Sequence, residues 1–289
     1  MLPEIPPPLD VSAGGRLWRL RRAGRPGAPG LLLLHGAASS AQSWAGCLPG
    51  LAASFDVIAP DLPGHGGTWA FDDRRASLDR MAQAIAELLA ALHWQPRLVA
   101  GHSAGAAVMA QLALDGRLPA AQGLLAVNGA LEPLPGLLGL LGPAMARLAA
   151  RSSSLPAWVT RHAAQPGALG HLIASTGSRL DDAGVAHYRG LMGQPDHVRG
   201  VLDMLANWRL DSLQAQLPRL QLPLWLAAGL SDRTVAPVRS LELARRLRHA
   251  RFVPLQGLGH LAHEEAPEVV NGLLMALWDH TRHQAAADV

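Results

Sequence analysis

Three residues far apart in the chain, Ser103, Asp232 and His260, are of the types that together perform nucleophilic acyl transfer. A serine hydroxyl is a weak nucleophile at neutral pH, so it needs a base, and the base needs a group that fixes its tautomer. Ser103 stands in Gly101-His102-Ser103-Ala104-Gly105, between the apolar run Leu98-Val99-Ala100 and an alanine-rich run starting at Ala106. That context predicts a strand-to-helix turn, a nucleophile elbow. The glycines two residues to either side are what such a tight turn requires, because side chains there would collide.

Asp232 follows the apolar run Leu224 to Ala228 within Gly229-Leu230-Ser231-Asp232-Arg233, and His260 ends Gly257-Leu258-Gly259-His260 just after Phe252 to Leu255. Both are therefore expected on loops at the carboxyl ends of strands. The order serine, acid, histidine is the one used when a nucleophile sits on this kind of elbow. Backbone donors for a developing oxyanion are expected from Ala37, in His35-Gly36-Ala37-Ala38 after Leu31 to Leu34, and from Ala104, next to the nucleophile.

Structural readings compete with each assignment. His260 could cap a loop, Asp232 could lead into the helix that Pro237 opens, and Glu132, shortly after the run Gly123 to Val127, is a rival acid. The joint order and spacing favour chemistry. His260 and His263 followed by Glu264 and Glu265 form His-X-X-His-Glu rather than the zinc-binding His-Glu-X-X-His, and His280 and His283 lie on a solvated helix end, so no metal site and no cofactor are expected. Asp61 and His65, in Asp61-Leu62-Pro63-Gly64-His65-Gly66, are expected to shape a turn.

The elements that must carry these residues alternate between short apolar runs and helical patterns, which predicts an α/β fold with a mostly parallel, doubly wound sheet covered on both faces. Strands are expected at Leu17 to Arg21, Leu31 to Leu34, Asp56 to Ala59, Arg97 to Ala100, Gly123 to Val127, Leu224 to Ala228 and Phe252 to Leu255. Helices are expected at Gln42 to Ala53, Leu78 to Leu92 with Ser77 as N-cap, Ala106 to Leu114, Val238 to Arg248 and Pro267 to His283, with a frayed tail from Gln284 to Val289. Across residues 131–210 the alternation gives way to Pro- and Gly-punctuated helical fragments. This divides the chain into a core made of residues 1–130 and 211–289, with an inserted helical cap, or lid, between them.

The 289 residues suffice for one large core. All basic side chains are arginines and the formal net charge is only +3, with a single dense group at Arg16, Arg19, Arg21, Arg22 and Arg25 that reads as a solvated hairpin, so nucleic acid is not an expected partner. One cysteine, Cys47, allows no internal disulfide, and Met1 to Asp10 lacks the basic start and apolar run of a secretion signal; a soluble, cytoplasmic protein is expected. The apolar stretch Leu134 to Ala150 is broken by Pro135, Gly136, Gly139, Gly142, Pro143 and Arg147, too often to span a bilayer, though it could touch a membrane surface.

Taken together, His35-Gly36, Asp61-Leu62-Pro63-Gly64-His65-Gly66, the elbow and the Asp232 and His260 loops resemble the α/β-hydrolase fold family over nearly the whole chain. Asn128-Gly129-Ala130-Leu131, Thr176-Gly177-Ser178-Arg179-Leu180-Asp181, Met204-Leu205-Ala206-Asn207-Trp208 and Gly257 through Glu265 are similar to the magnesium-chelatase accessory proteins of bacteriochlorophyll biosynthesis, the BchO type. The resemblance implies a role beside magnesium insertion into protoporphyrin IX in a phototrophic bacterium, with chelatase subunits as partners. It implies no particular reaction. An apolar cap would suit a tetrapyrrole or a hydrophobic ester or thioester, with His102, Trp158, Met192 and Trp208 as candidate substrate-binding residues. A porphyrin carrier with a vestigial triad, and a catabolic hydrolase of C–C bonds or lactones, are the alternatives.

Overall fold

The computed structural model describes residues 6–133, 147–152, 154–163, 165 and 167–287. Eight strands form one sheet in the order β1-β2-β4-β3-β5-β6-β7-β8. They are β1 (Leu9–Ala13), β2 (Arg16–Ala23), β3 (Gly30–Leu34), β4 (Asp56–Pro60), β5 (Pro96–His102), β6 (Gly123–Val127), β7 (Leu224–Gly229) and β8 (Ala250–Leu255). From β4 to β8 every pairing is parallel, while β1 and β2 run antiparallel.

Strands buried on both faces must be apolar at every position, and β3 reads Gly-Leu-Leu-Leu-Leu. The pleat then sends alternate residues to opposite sides. Leu32, Leu34, Val99, Leu124 and Leu226 join one core cluster with α2 (Leu78–Ala91) and α3 (Ala104–Leu114). Leu31, Leu33, Leu98, Leu125 and Val127 join a second with α1 (Leu48–Leu51), the sole thiol Cys47, and residues Val270, Leu274 and Leu277 of the closing helix.

Between β6 and β7 the chain forms α4 (Leu155–Ala163), α5 (Ala168–Ser175), α6 (Asp182–Met192), α7 (Pro195–Asn207) and α8 (Asp211–Gln216). After β7 come α9 (Pro237–Arg246), then α10 (Ala262–Glu265) and α11 (Pro267–Ala287) after β8. Polar ties fasten the inserted helices to the sheet's surroundings. Arg74 grips Asp203 of α7 at 2.6 Å and the carbonyl of Ala150, and the Gly66 amide donates to His197 Nδ1.

The structure corrects several expectations. Strand β1 lies outside the expected set: it is an edge strand, with Leu9 and Asp10 exposed, and it returns through Gly14 and Gly15 at positive φ, so no apolar run announces it. The helix expected at Gln42 to Ala53 is instead a 3₁₀ turn, Ala41–Trp44, followed by the short α1, with Gly46 between them and Pro49 near the start of α1. Ser77 occupies the N-cap position of α2, but its hydroxyl caps nothing. The final helix continues to Ala287, through part of the tail expected to fray. Residues 134–146 of the apolar stretch lie outside the described residues.

Candidate active site

The parallel strands β3, β5, β6, β7 and β8 end at one edge of the sheet, the edge where sites of open α/β folds collect. Ser103 follows β5 with φ 49° and ψ −116°, a conformation that side-chain-bearing residues rarely hold. The neighbouring backbone leaves little alternative. A Cβ on Gly101 would lie 2.5 Å from the Ala106 nitrogen, and one on Gly105 would lie 2.4 Å from the Leu34 carbonyl oxygen. The turn is clamped by the Ser103 amide donating to the Val127 carbonyl and by the Ala106 and Ala130 amides donating to the Ser103 carbonyl.

The expected acid and base meet directly. His260 Nδ1 lies 2.8 Å from Asp232 Oδ2, in a pair that is nearly buried. Asp232 Oδ2 also accepts from Asn128 Nδ2 at 2.7 Å, while Oδ1 accepts the amides of Thr234 and Val235 at 2.7 and 3.0 Å. Three donors besides the imidazole thus fix the carboxylate. With Nδ1–H committed to Asp232, the lone pair of His260 is left on Nε2. Among the described residues, no hydrogen bond joins Ser103 Oγ to His260.

Two further groups hold this arrangement. His102, beside the serine, donates from Nε2 to the His260 carbonyl at 2.9 Å, and its ring centroid is 4.9 Å from that of His260. Residues Thr176 to Ser178 pass between the acid and base loops. The Arg233 amide donates to the Thr176 carbonyl, and the Leu261 amide donates to Ser178 Oγ at 2.8 Å. Gly177, at φ 85°, is the only residue type that fits there: a Cβ would fall 1.8 Å from the Ser231 carbonyl oxygen.

The loop after β3 is oriented by His35. Its Nε2 accepts the Leu62 amide at 2.8 Å, so the proton is on Nδ1, which donates to the Gly36 carbonyl at 2.7 Å. In a trans peptide the carbonyl and the next N–H point opposite ways, so holding Gly36 O aims the Ala37 N–H away from His35. Complete burial, then the neighbouring His65, keep His35 well below the usual imidazole range and therefore neutral. A Cβ on Gly36 would lie 3.0 Å from Ser103 Cβ, which places this loop against the nucleophile turn. Neither Ala37 nor Ala104 uses its amide in a hydrogen bond among the described residues.

The same loop continues into a buried junction with α6. Ser40 Oγ lies 3.1 Å from His187 Nε2, and Ser39 Oγ 3.3 Å from the Tyr188 hydroxyl. Tyr188 donates to Glu264 Oε1 at 2.6 Å, four residues beyond His260. Burial pushes the Glu264 carboxyl up to about 8, while the Tyr188 hydrogen bond opposes that rise.

The remaining expected residues are placed as follows. Glu132 is bound by Arg239, Arg246 and Gln214 and does not meet His260. Asp61 accepts the Ala41 and Gly67 amides, holding the turn that His65 occupies. His102 is buried and engaged with His260, Trp208 packs against the core, Met192 ends α6 half-buried, and Trp158 is exposed on the outside of α4, stacked on His162 at 3.8 Å. A cavity of about 260 Å³ opens beside the Asp232 loop, lined by Leu131, Glu132, Arg233 and Arg239 among others; Ser103 and His260 do not line it. Asn128, His35, Ser178, Tyr188 and Glu264 take roles the sequence motifs do not state, although all but Tyr188 lie within the motifs noted above.

Comparison with known proteins matches residues 31–273 to the model of the Alpha/beta hydrolase family. The chain is 41% identical over 259 residues to the magnesium-chelatase 30 kDa subunit of Rhodobacter capsulatus, covering 89% of each. It is 29% identical to the dihydrolipoyllysine-residue acetyltransferase component of the acetoin cleaving system of Pseudomonas putida, over 94% of this chain and 69% of that one. Among solved structures, a thermophilic esterase from Thermogutta terrifontis superposes with TM-score 0.75 at 21% identity, over 96% of this chain and 99% of that one. A haloalkane dehalogenase loop variant from Bradyrhizobium elkanii gives 0.77 at 20% identity, over 98% and 99%.

Proposed function

The chain belongs to the alpha/beta hydrolase family, and on that premise we propose that it is a serine hydrolase of a hydrophobic ester or thioester, working alongside magnesium chelatase in bacteriochlorophyll biosynthesis. The observation that carries the reading is the 2.8 Å bond from His260 to a carboxylate held by three further donors, at the sheet edge where Ser103 sits on a strained turn. Ser103 Oγ attacks the substrate carbonyl as His260 Nε2 takes its proton, and Asp232 supports the resulting imidazolium. The Ala37 and Ala104 amides receive the oxyanion. His260 then returns the proton to the leaving group, activates water against the acyl-serine and restores the free hydroxyl. Helices α4 to α7 serve as the lid over this edge, with the segment Thr176 to Ser178 as its anchor.

Reaction with a fluorophosphonate tests the chemistry. The wild-type protein is expected to become labelled at Ser103, and Ser103→Ala to lose the label; an unlabelled wild type, folded by circular dichroism, would sink the hydrolase reading. A second reading has its own support: similarity is greatest, among the relatives given above, to a protein named as a chelatase subunit, and Ser103 makes no hydrogen bond to His260. In that reading the fold carries a porphyrin or contacts the chelatase without catalysis. Ser103→Ala restoring magnesium insertion in a cell lacking the protein would favour it.

A further inference from the structure

From Pro133 to Leu180 the sequence contains no aspartate or glutamate, while Arg147, Arg151, Arg161 and Arg179 all fall within it. An ordinary solvated surface mixes both signs, so this bias is a property of one region rather than of a chain whose net charge is only +3. In α4 the exposed positions are Ala157, Trp158, Arg161 and His162, while Pro156 and Ala163 are buried. Exposure at i, i+1, i+4 and i+5 is one face of a helix, and that face pairs a tryptophan with an arginine. Helix α5 contacts α4 and turns Leu172 outward, 59% exposed, beside His171. Leu148, just ahead of α4, is 67% exposed and Trp158 is 49% exposed. Among the described residues, Arg151 and Arg161 have no ion-pair or hydrogen-bonding partner.

We propose that the outer surface formed by Leu148, Arg151, Trp158, Arg161 and Leu172 docks on an anionic lipid surface. Leucines enter the acyl boundary, tryptophan sits at headgroup level, and arginine donates to lipid phosphates, which is the composition an interfacial surface needs. Charge complementarity selects the anionic leaflet: the segment that carries these five residues has arginines and no carboxylate, and the exposed acids of the neighbouring helices α6 and α7 are Asp182 and Asp196. An acidic protein would account for the arginines but not for the exposed leucines and tryptophan beside them. No helix of the described residues is long and apolar enough to cross a membrane, so the contact is peripheral. The inference does not depend on whether Ser103 is a nucleophile.

Co-sedimentation of the full chain with vesicles tests it. Phosphatidylglycerol vesicles are expected to pellet the protein and phosphatidylcholine vesicles to leave it in solution, with binding falling as salt is raised. Arg151→Gln and Arg161→Gln are each expected to weaken binding about five-fold, equivalent to the ~1 kcal/mol a cationic residue gains beside an anionic leaflet. Trp158→Ala with Leu172→Gln is expected to weaken it at least as much. All four positions are exposed, so unchanged melting curves should accompany these losses. Failure to pellet with either lipid, equal pelleting with both, or binding indifferent to the arginine changes would overturn the proposal. So would capture by soluble polyglutamate that survives loss of Trp158 and Leu172, which would assign the face to an acidic protein.

Discussion

The sheet and the helices inserted between β6 and β7 are held in different ways. Leu31 to Leu34, Val57, Ile58, Leu98 and Val99 are fully buried, so the sheet rests on apolar area. The inserted helices lend Met204 and Leu213 to the core, yet they keep Trp158, Leu172 and Leu205 substantially exposed and add polar ties to the rest of the protein: Arg74 with Asp203, Tyr188 with Glu264, His187 with Ser40, and His197 with Gly66. Apolar packing fails all at once, whereas polar ties can be released singly and respond to pH. The loops of the candidate site lie on the seam between the two, since Ser39, Leu261 and Arg233 each contact the inserted segment.

The comparison breaks if the two regions respond alike to local damage. Leu33→Ala should give the largest loss, about 2–5 kcal/mol in urea unfolding, because Leu33 is fully buried between packed layers. Arg74→Ala leaves buried Asp203 without its cation; it should cost about 2 kcal/mol at most and speed proteolysis within residues 147–207 while the sheet's melting changes little.

Two pH slopes sharpen the picture. Folded Glu264 keeps its proton up to about 8, whereas an ordinary glutamate loses it near 4.5, so the native state binds more protons in that window and stability falls as pH rises through it. Glu264→Gln should remove that slope, of about 1 kcal/mol per pH unit, when urea midpoints are compared across the window. On the acid side burial lowers His65 to about 4 and His197 and His263 to about 3. Their contribution is complete above the ordinary imidazole value of 6.5 and is lost as pH falls toward those values. Trp158→Ala should have the smallest effect, within about 0.5 kcal/mol by thermal melting, since the half-exposed ring stacks on His162, itself exposed.

Much of this was legible in the sequence because steric need writes itself into residue type. Gly101 and Gly105 flank the serine for a reason that a Cβ test bears out, and the all-apolar β3 and β6 could only be interior strands. The edge strand β1 was silent because solvent tolerates any residue there. The long-range polar partners were silent for another reason: Asn128, His35 and Tyr188 act on groups 104, 27 and 76 residues away, and no local pattern records such a pairing. Trp158 is legible only as an aromatic in an apolar region, which looks the same in sequence whether it lines a cleft or, as here, faces outward.

Cys47 gives the chain a built-in clock. It is the only thiol, fully buried, its Sγ lying 3.6 Å from the carbonyl of His263, three residues past His260. A disulfide reagent in solution reacts only when that wall parts, so its rate of uptake counts excursions of the polypeptide immediately behind His260. A ligand that settles over His260 and quiets those excursions will announce itself by slower modification.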